Sequence, residues 1–178
     1  MQIKYEKAPD IEKRAREIVI RLGWEWIDVD NVAFIRSHGS QSRGTIARCH
    51  ALGKAMQIGM NRSTGFYLIE VISKRFDKMP YEEQTKVIIH ELMHIPKTFG
   101  GGFKHHDVVN ERNVKNVFEH YTRLRKIESD RLSSQMENVA KTLNHPQNTN
   151  SGASHENKPE NKKESSPSET KTFMRRWF

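Results

Sequence analysis

The sequence predicts an α+β fold, in which a small sheet packs on an N-terminal helix and on a second helix that carries a histidine motif, followed by a long C-terminal helix and a disordered tail. Three observations predict this arrangement. Apolar residues within positions 11–22 recur at helical spacing, and residues 66–72 form an aromatic and β-branched run. From position 144 to 170 the only apolar residue is Ala153, so that stretch cannot form a core.

The first half of the sequence alternates helix and strand signals. Residues 8–22 predict an amphipathic helix that ends at Gly23. Residues 31–36 predict a short strand, which runs into the turn-rich segment 37–44. Residues 45–52 predict a second strand and residues 54–60 a short helix, and residues 66–72 have the clearest strand pattern of all.

Two further helices follow the strand at 66–72. Pro80 suits the first turn of a helix, and acidic residues just after it suit the positive helix end. This helix is expected to reach about Ile95, because Pro96 stops it. A last helix is expected from about Asp107 to Leu143, since apolar residues recur along it at helical spacing.

Length and composition indicate one folded domain with a tail. The protein has 178 residues, a net charge of +8 and 35% hydrophobic residues, a low fraction for a sequence that folds throughout. We expect a domain at residues 1–143 and a disordered polar tail at residues 144–178, with an aromatic and basic end. The 23 basic and 17 acidic residues before Ser133 leave +6 of the charge on the domain.

Several classes of protein are excluded by composition. The single cysteine, Cys49, excludes an intramolecular disulfide and any zinc site built from cysteine pairs. No apolar run approaches the roughly 18 residues that a membrane helix needs, and the charged N-terminus does not resemble a signal peptide. We therefore expect a cytoplasmic protein that does not enter a membrane.

The chemical signal of the sequence is His90-Glu91-Leu92-Met93-His94, an HExxH motif on the helix expected from Pro80. Residues four apart lie on one helix face, about 6 Å apart along the axis, so both imidazoles can bind one metal ion. Glu91 lies close enough to accept a proton from a water on that ion. This pattern is typical of a zinc hydrolase with two histidine ligands and a glutamate base.

A catalytic zinc site usually has a third protein ligand. A third histidine six residues after His94 is excluded, because that position is Gly100. His106 is the preferred ligand, since three glycines allow the backbone before it to turn back sharply and the next helix is expected to start beside it. The alternatives are His105 and, on the following helix, Glu111 or Glu119.

The residues around the motif resemble a known family. Residues 45–48, 67–77, 88–99 and 101–106, the third of which includes Ile-His-Glu-Leu-Met-His-Ile-Pro-Lys-Thr-Phe, are similar to the metallopeptidases of phages and archaea. These are zincin-like proteins, more distantly similar to the SprT-like and WLM groups, some of which are DNA-associated proteases. The resemblance implies a zincin-like fold, His90 and His94 as ligands, Glu91 as general base and the histidine at the position of His106 as third ligand.

The expected function is therefore a zinc metallopeptidase that uses one Zn²⁺ and acts on a protein or peptide. Zinc held by His90, His94 and His106 is expected to lower the pKa of a water towards about 7, with Glu91 accepting its proton. The strand at residues 66–72 is either the edge along which an extended substrate lies or a plain core strand. Asp107 is either a partner of a ligand imidazole or an ordinary helix-start residue.

The basic composition supports a second interpretation. Residues 123–126, Arg-Leu-Arg-Lys, and the +6 domain favour contact with nucleic-acid phosphates. In this alternative the protein is a nucleic-acid-associated binding protein whose metal is structural or absent. No helix-turn-helix, zinc-finger or RNA-binding aromatic motif is visible in the sequence, so a peptidase recruited to nucleic acid combines both interpretations.

Overall fold

One mixed four-stranded sheet organises the part of the protein that the computed structural model describes, residues 2–42 and 44–143. Its strands are β1 (Lys4–Lys7), β2 (Val32–His38), β3 (Ala47–Ala51) and β4 (Tyr67–Ile72). Their order across the sheet is β1-β2-β4-β3. The central pair, β2 and β4, is parallel, and the two outer strands β1 and β3 run antiparallel to their neighbours.

Five α-helices surround this sheet among the described residues. They are α1 (Pro9–Leu22), α2 (Lys54–Gly59), α3 (Ser73–Phe76), α4 (Tyr81–Met93) and α5 (Glu111–Leu143). A 3₁₀ turn at Val29–Asn31 leads into β2. None of the described helices combines the length and apolar character that crossing a membrane requires.

The core lies between the sheet and helices α1 and α4. Alternate residues of the central strands point to one face of the sheet, as Phe34 and Ile69 do. They meet the apolar stripes of α1 and α4, whose spacing by three and four the sequence analysis used. The fully buried members from the two helices are Ile11, Ala15, Ile18, Ile88, Ile89 and Leu92. The first part of α5 completes the core with Val114 and Tyr121.

The α+β class and most predicted elements are confirmed. The first helix ends where Gly23 adopts a left-handed conformation, with φ of +64°. Strands and short helices lie within one or two residues of the predicted bounds. Two elements were not predicted: β1, whose Lys-Tyr-Glu-Lys sequence is exposed at every position, and the single turn α3. The tail predicted at residues 144–178 lies outside the described residues, so the domain boundary stays a prediction.

The bounds of the last two helices correct the sequence-based ones. Helix α4 ends at Met93 instead of Ile95, although His94 keeps helical backbone angles as its C-cap. Helix α5 begins at Glu111 and not near Asp107. The reason is Asn110, whose side-chain oxygen accepts a hydrogen bond from the Asn113 N–H and so caps the helix four residues later than expected.

Candidate metal centre

Two histidines meet at the C-terminal end of α4. His90 and His94 are one helical turn apart, and their Nε2 atoms are 3.1 Å from each other. His94 is buried at 2% exposure, while His90 is half-buried. The predicted placement of both side chains on one helix face follows directly from the helical backbone that α4 keeps through His94.

The segment between α4 and α5 brings a third histidine to this pair. The ring centroid of His106 lies 4.8 Å from that of His94 and 5.4 Å from that of His90. The ligand atoms of the three residues all lie within 4.8 Å of one another. The group includes none of the alternatives named from sequence, His105, Glu111 and Glu119; the ring of His105 instead lies 5.7 Å from that of Phe103.

Backbone carbonyls orient the imidazoles. The Nδ1 atom of His94 lies 2.6 Å from the carbonyl oxygen of Lys104, and since a carbonyl only accepts, Nδ1 carries the proton. The Nε2 lone pair of His94 is therefore directed at the other histidines. Nδ1 of His106 similarly lies 3.4 Å from the Val109 carbonyl. This carbonyl, and not the exposed Asp107, takes the partner role, and Asp107 does not start the helix either.

The electrostatics of the cluster favour neutral imidazoles. Burial, together with the neighbouring His94 and His106, lowers the pKa of His90 to about 4. Burial also lowers the pKa of His94. Because a metal binds the unprotonated nitrogen, a cluster that resists protonation near neutral pH is ready to bind a cation.

Glu91 is a buried carboxyl group beside this cluster. Only 6% of the residue is exposed, and burial raises its pKa to about 7, opposed by the backbone N–H of Cys49. A carboxyl group whose pKa lies near neutral pH can both accept and release a proton there. Glu91 is therefore suited to the general-base role that the motif predicts.

A tyrosine from the sheet fixes the segment that carries the third histidine. The hydroxyl of the fully buried Tyr67 accepts from the Gly101 N–H at 3.0 Å and donates to the Gly102 carbonyl at 2.9 Å. The Gln57 side chain donates to the Gly100 carbonyl at 3.1 Å. Phe103 then stacks on the His94 ring, with centroids 4.4 Å apart. We refer to residues 96–104 as the glycine loop.

Glycine is required at this loop for two reasons. Gly101 has φ of +87°, and a Cβ atom there would lie 2.1 Å from the Gln57 amide nitrogen. Gly65, at the start of the strand region facing the loop, would place a Cβ atom 2.0 Å from the carbonyl oxygen of Phe99. The sequence analysis expected the glycines to allow a sharp turn; the structure adds that they let two backbones approach closely.

The open edge of the sheet at the metal centre is β3, which corrects one prediction. The sequence analysis offered the strand at residues 66–72 as a substrate edge or a core strand, and β4 is a core strand between β2 and β3. Ile46 and Leu52 pair with β4 and its flanks through backbone hydrogen bonds. Since bonded pairs alternate along an antiparallel ladder, the backbone groups of Ala47, Cys49 and Ala51 point away from β4.

Other polar residues singled out in the sequence have structural roles. Glu70 is only 4% exposed, contrary to the expectation for a charged strand residue, and accepts from His50 at 3.1 Å and Arg48 at 3.4 Å. The hydroxyl of Tyr121 donates to Glu17. Burial raises the pKa of Cys49 to about 12, so its thiol is not an activated nucleophile.

Comparison with known proteins gives one positive finding. A family model described as "Putative phage metallopeptidase" matches residues 3–144, most of the sequence and all of the metal centre. No curated protein and no solved structure matches it.

Proposed function

The protein belongs to the phage metallopeptidase family, and from this membership we propose that it is a zinc-dependent peptidase. In this proposal His90, His94 and His106 hold one Zn²⁺, and Glu91 is the general base for hydrolysis of a peptide bond. The observation that carries the proposal is the convergence of three imidazoles next to a buried glutamate at an open strand edge.

The three histidines suit zinc. Tetrahedral zinc with nitrogen ligands at about 2.0–2.1 Å separates those nitrogens by about 3.3 Å. The Nε2 atoms of His90 and His94 are 3.1 Å apart, close to that spacing. Three neutral nitrogen donors also leave the fourth position free, as in catalytic zinc sites. When bound, zinc would supply Lewis acidity, lowering the pKa of a coordinated water and polarising a substrate carbonyl.

Glu91 supports this chemistry through its surroundings. At neutral pH a pKa of about 7 leaves part of the population as carboxylate, which can take a proton from water in the reaction. The Cys49 N–H stabilises that carboxylate and holds it towards the open edge of β3. The same glutamate, once protonated, can return the proton to the amine that leaves the cleaved bond.

The open edge of β3 supports an extended peptide as substrate. The outward N–H and C=O groups of Ala47, Cys49 and Ala51 offer a ladder for one added strand. Because the Cys49 N–H also reaches Glu91, a peptide along this edge passes directly by the proposed base. We infer that the substrate is an unfolded or flexible protein segment.

Replacing the proposed base tests the proposal. In Glu91→Gln we expect peptide cleavage to fall by about 10²-fold or more while one zinc per protein molecule remains bound. Glu82→Gln is the matched control, because Glu82 is exposed in the first turn of the same helix. Cleavage by Glu91→Gln at the parental rate would reject the mechanism.

Nucleic-acid association through the basic surface is a separate proposal, and so is a cytoplasmic location. Arg123, Arg125 and Lys126 are exposed on α5, away from the residues of the metal centre in sequence. If the surface binds phosphates, affinity for duplex DNA falls steeply with added salt, and charge removal at these positions weakens it. Binding without any cleavage activity would favour the alternative of a non-enzymatic binding protein.

A further inference from the structure

A cavity of about 340 Å³ lies at the far end of the glycine loop from the third histidine. Four segments line it: the region of Trp26, the start of α2 with Lys54 and Gln57, residues 63–65, and residues 98–100. None of the three proposed metal ligands lines the cavity. It is therefore a space separate from the reacting centre, although the same loop forms part of both.

The glycine loop links the cavity to the metal centre. Gly100 lines the cavity and is fixed by Gln57, which also lines it. Phe103, the ring that stacks on His94, is three residues after Gly100, so their Cα atoms are at most about 11 Å apart. A group held in the cavity thus lies within a few residues' reach of the ion.

The open edge of β3 leads towards the same cavity. The Gln57 side chain donates to the Leu52 carbonyl at 2.7 Å, so the cavity wall is joined to the end of the β3 ladder. Leu52 is three residues beyond Cys49, the residue opposite Glu91, which corresponds to about 10 Å of extended backbone. A peptide lying along β3 would bring a residue two to four positions from the cleaved bond to the cavity mouth.

The charges around the cavity favour an anion. Lys54 forms no ion pair with any residue that the structure describes. The acidic residue of the lining, Asp28, is already engaged, since its two oxygens accept from the Asp30 N–H at 3.1 Å and the Asn31 amide at 2.7 Å. A second ammonium group, that of Lys97, lies 5.6 Å from the centre of the Trp26 ring.

The remaining lining suits a carboxylate on a short apolar stem. Ser63, Thr64 and Thr98 contribute hydroxyl groups, which donate to carboxylate oxygens. The rings of Trp26 and Phe99 can cover the methylene groups that carry such a carboxylate. We propose that the cavity binds a carboxylate of the substrate, either an acidic side chain or the C-terminal carboxylate of the peptide, and so selects the site of cleavage. This inference rests on the proposed function.

Peptide binding tests the inference without requiring cleavage. The probes are fluorescein-labelled, C-terminally amidated alanine–serine peptides of about eight residues with one Glu or one Gln, and one all-neutral peptide with a free C-terminus. Fluorescence anisotropy is measured with the zinc-loaded Glu91→Gln variant. A charge-assisted hydrogen bond makes the Glu peptide, or the free C-terminal peptide, bind about tenfold more tightly than its uncharged counterpart.

Removing the cavity lysine should abolish that preference. In Glu91→Gln/Lys54→Gln the affinity ratio falls to about one, whereas Lys115→Gln in the same background, an exposed lysine on α5, retains the tenfold ratio. Which of the two charged peptides gains affinity identifies the source of the carboxylate. Equal binding of charged and neutral peptides, or a preference that survives Lys54→Gln, would overturn the inference.

Cleavage mapping separates this inference from the proposed function. The parental protein should cut a denatured protein mixture with Asp or Glu enriched two to four residues from the cut, an enrichment that Lys54→Gln removes. If nothing is cut while the Lys54-dependent binding preference is observed, the peptidase proposal fails and the cavity proposal stands. If cuts occur without acidic enrichment, the cavity proposal fails alone.

Discussion

Removing one hydroxyl from the sheet should weaken metal binding at a site it does not touch. Tyr67 is not a ligand, yet its hydroxyl satisfies the Gly101 N–H and the Gly102 carbonyl of the glycine loop. In Tyr67→Phe both backbone groups lose their partner inside the protein. The change removes one oxygen from a residue with no exposed surface, so the core packing of the ring is kept.

The expected magnitude follows from the two broken hydrogen bonds. Each buried group left without a partner costs about 1–3 kcal/mol, so the free energy of unfolding should fall by about 2–4 kcal/mol. Because the segment held in this way leads to His106 and includes the carbonyl that orients His94, zinc affinity should fall about tenfold to a hundredfold. Urea denaturation of the metal-free protein and competition with a zinc indicator measure the two effects.

Tyr121→Phe is the matched control for this experiment. Tyr121 is equally buried, and its hydroxyl donates to Glu17 at 3.0 Å, at a position far from the glycine loop in sequence. We expect a loss of about 1 kcal/mol and parental zinc affinity. The reasoning would be refuted by Tyr67→Phe with unchanged zinc affinity, or by equal losses of affinity in both variants.

Three further substitutions test other parts of the structure. His106→Ala should lower zinc affinity by at least about tenfold and His105→Ala should not, as isothermal titration with zinc can show. Gly65→Ala should cost about 1–3 kcal/mol in a thermal melt and weaken zinc binding too, because its Cβ atom would displace the Phe99 carbonyl. Burial raises the pKa of Glu70, but its hydrogen bonds outweigh burial and hold that pKa below 4.5, so its stabilisation is present at neutral pH and is lost as the pH falls below this value. Glu70→Gln should therefore be about 1–3 kcal/mol less stable at pH 7, with the difference vanishing in acid denaturation series; a difference that persists in acid would contradict it.

The sequence predicts what is local and misses what depends on contacts between distant residues. The His90–His94 pair follows from helical geometry alone, and Gly23 marks a helix end by its own backbone freedom. The predicted start of α5 was wrong because Asn110 is a stronger cap than the residues before it, a signal that is present in the sequence. The polar strand β1 has no such signal, since its pairing with β2 is what makes it a strand.

The remaining surprises come from the order of strands in the sheet. That β4 is central and β3 forms the open edge cannot be read from the strand sequences, because both alternate or mix apolar residues in similar ways. Once β3 is placed at the edge, Glu70 of β4 is covered by Arg48 and His50 and becomes buried. The roles of Tyr67 and Gln57 depend in turn on which strand end meets the glycine loop.

The attachment of the glycine loop to Tyr67 has a consequence for the order in which the site assembles. His90 and His94 reach their relative positions as soon as α4 forms, an event that needs only neighbouring residues. His106 can join them only after β4 has entered the sheet, because the loop is fixed by a strand residue 34 positions before Gly101. A folding intermediate with α4 alone would hold metal through two ligands and exchange it readily. Slow release of the ion is therefore a property of the completed domain, and the rate at which a chelator removes zinc reports directly on opening of this loop.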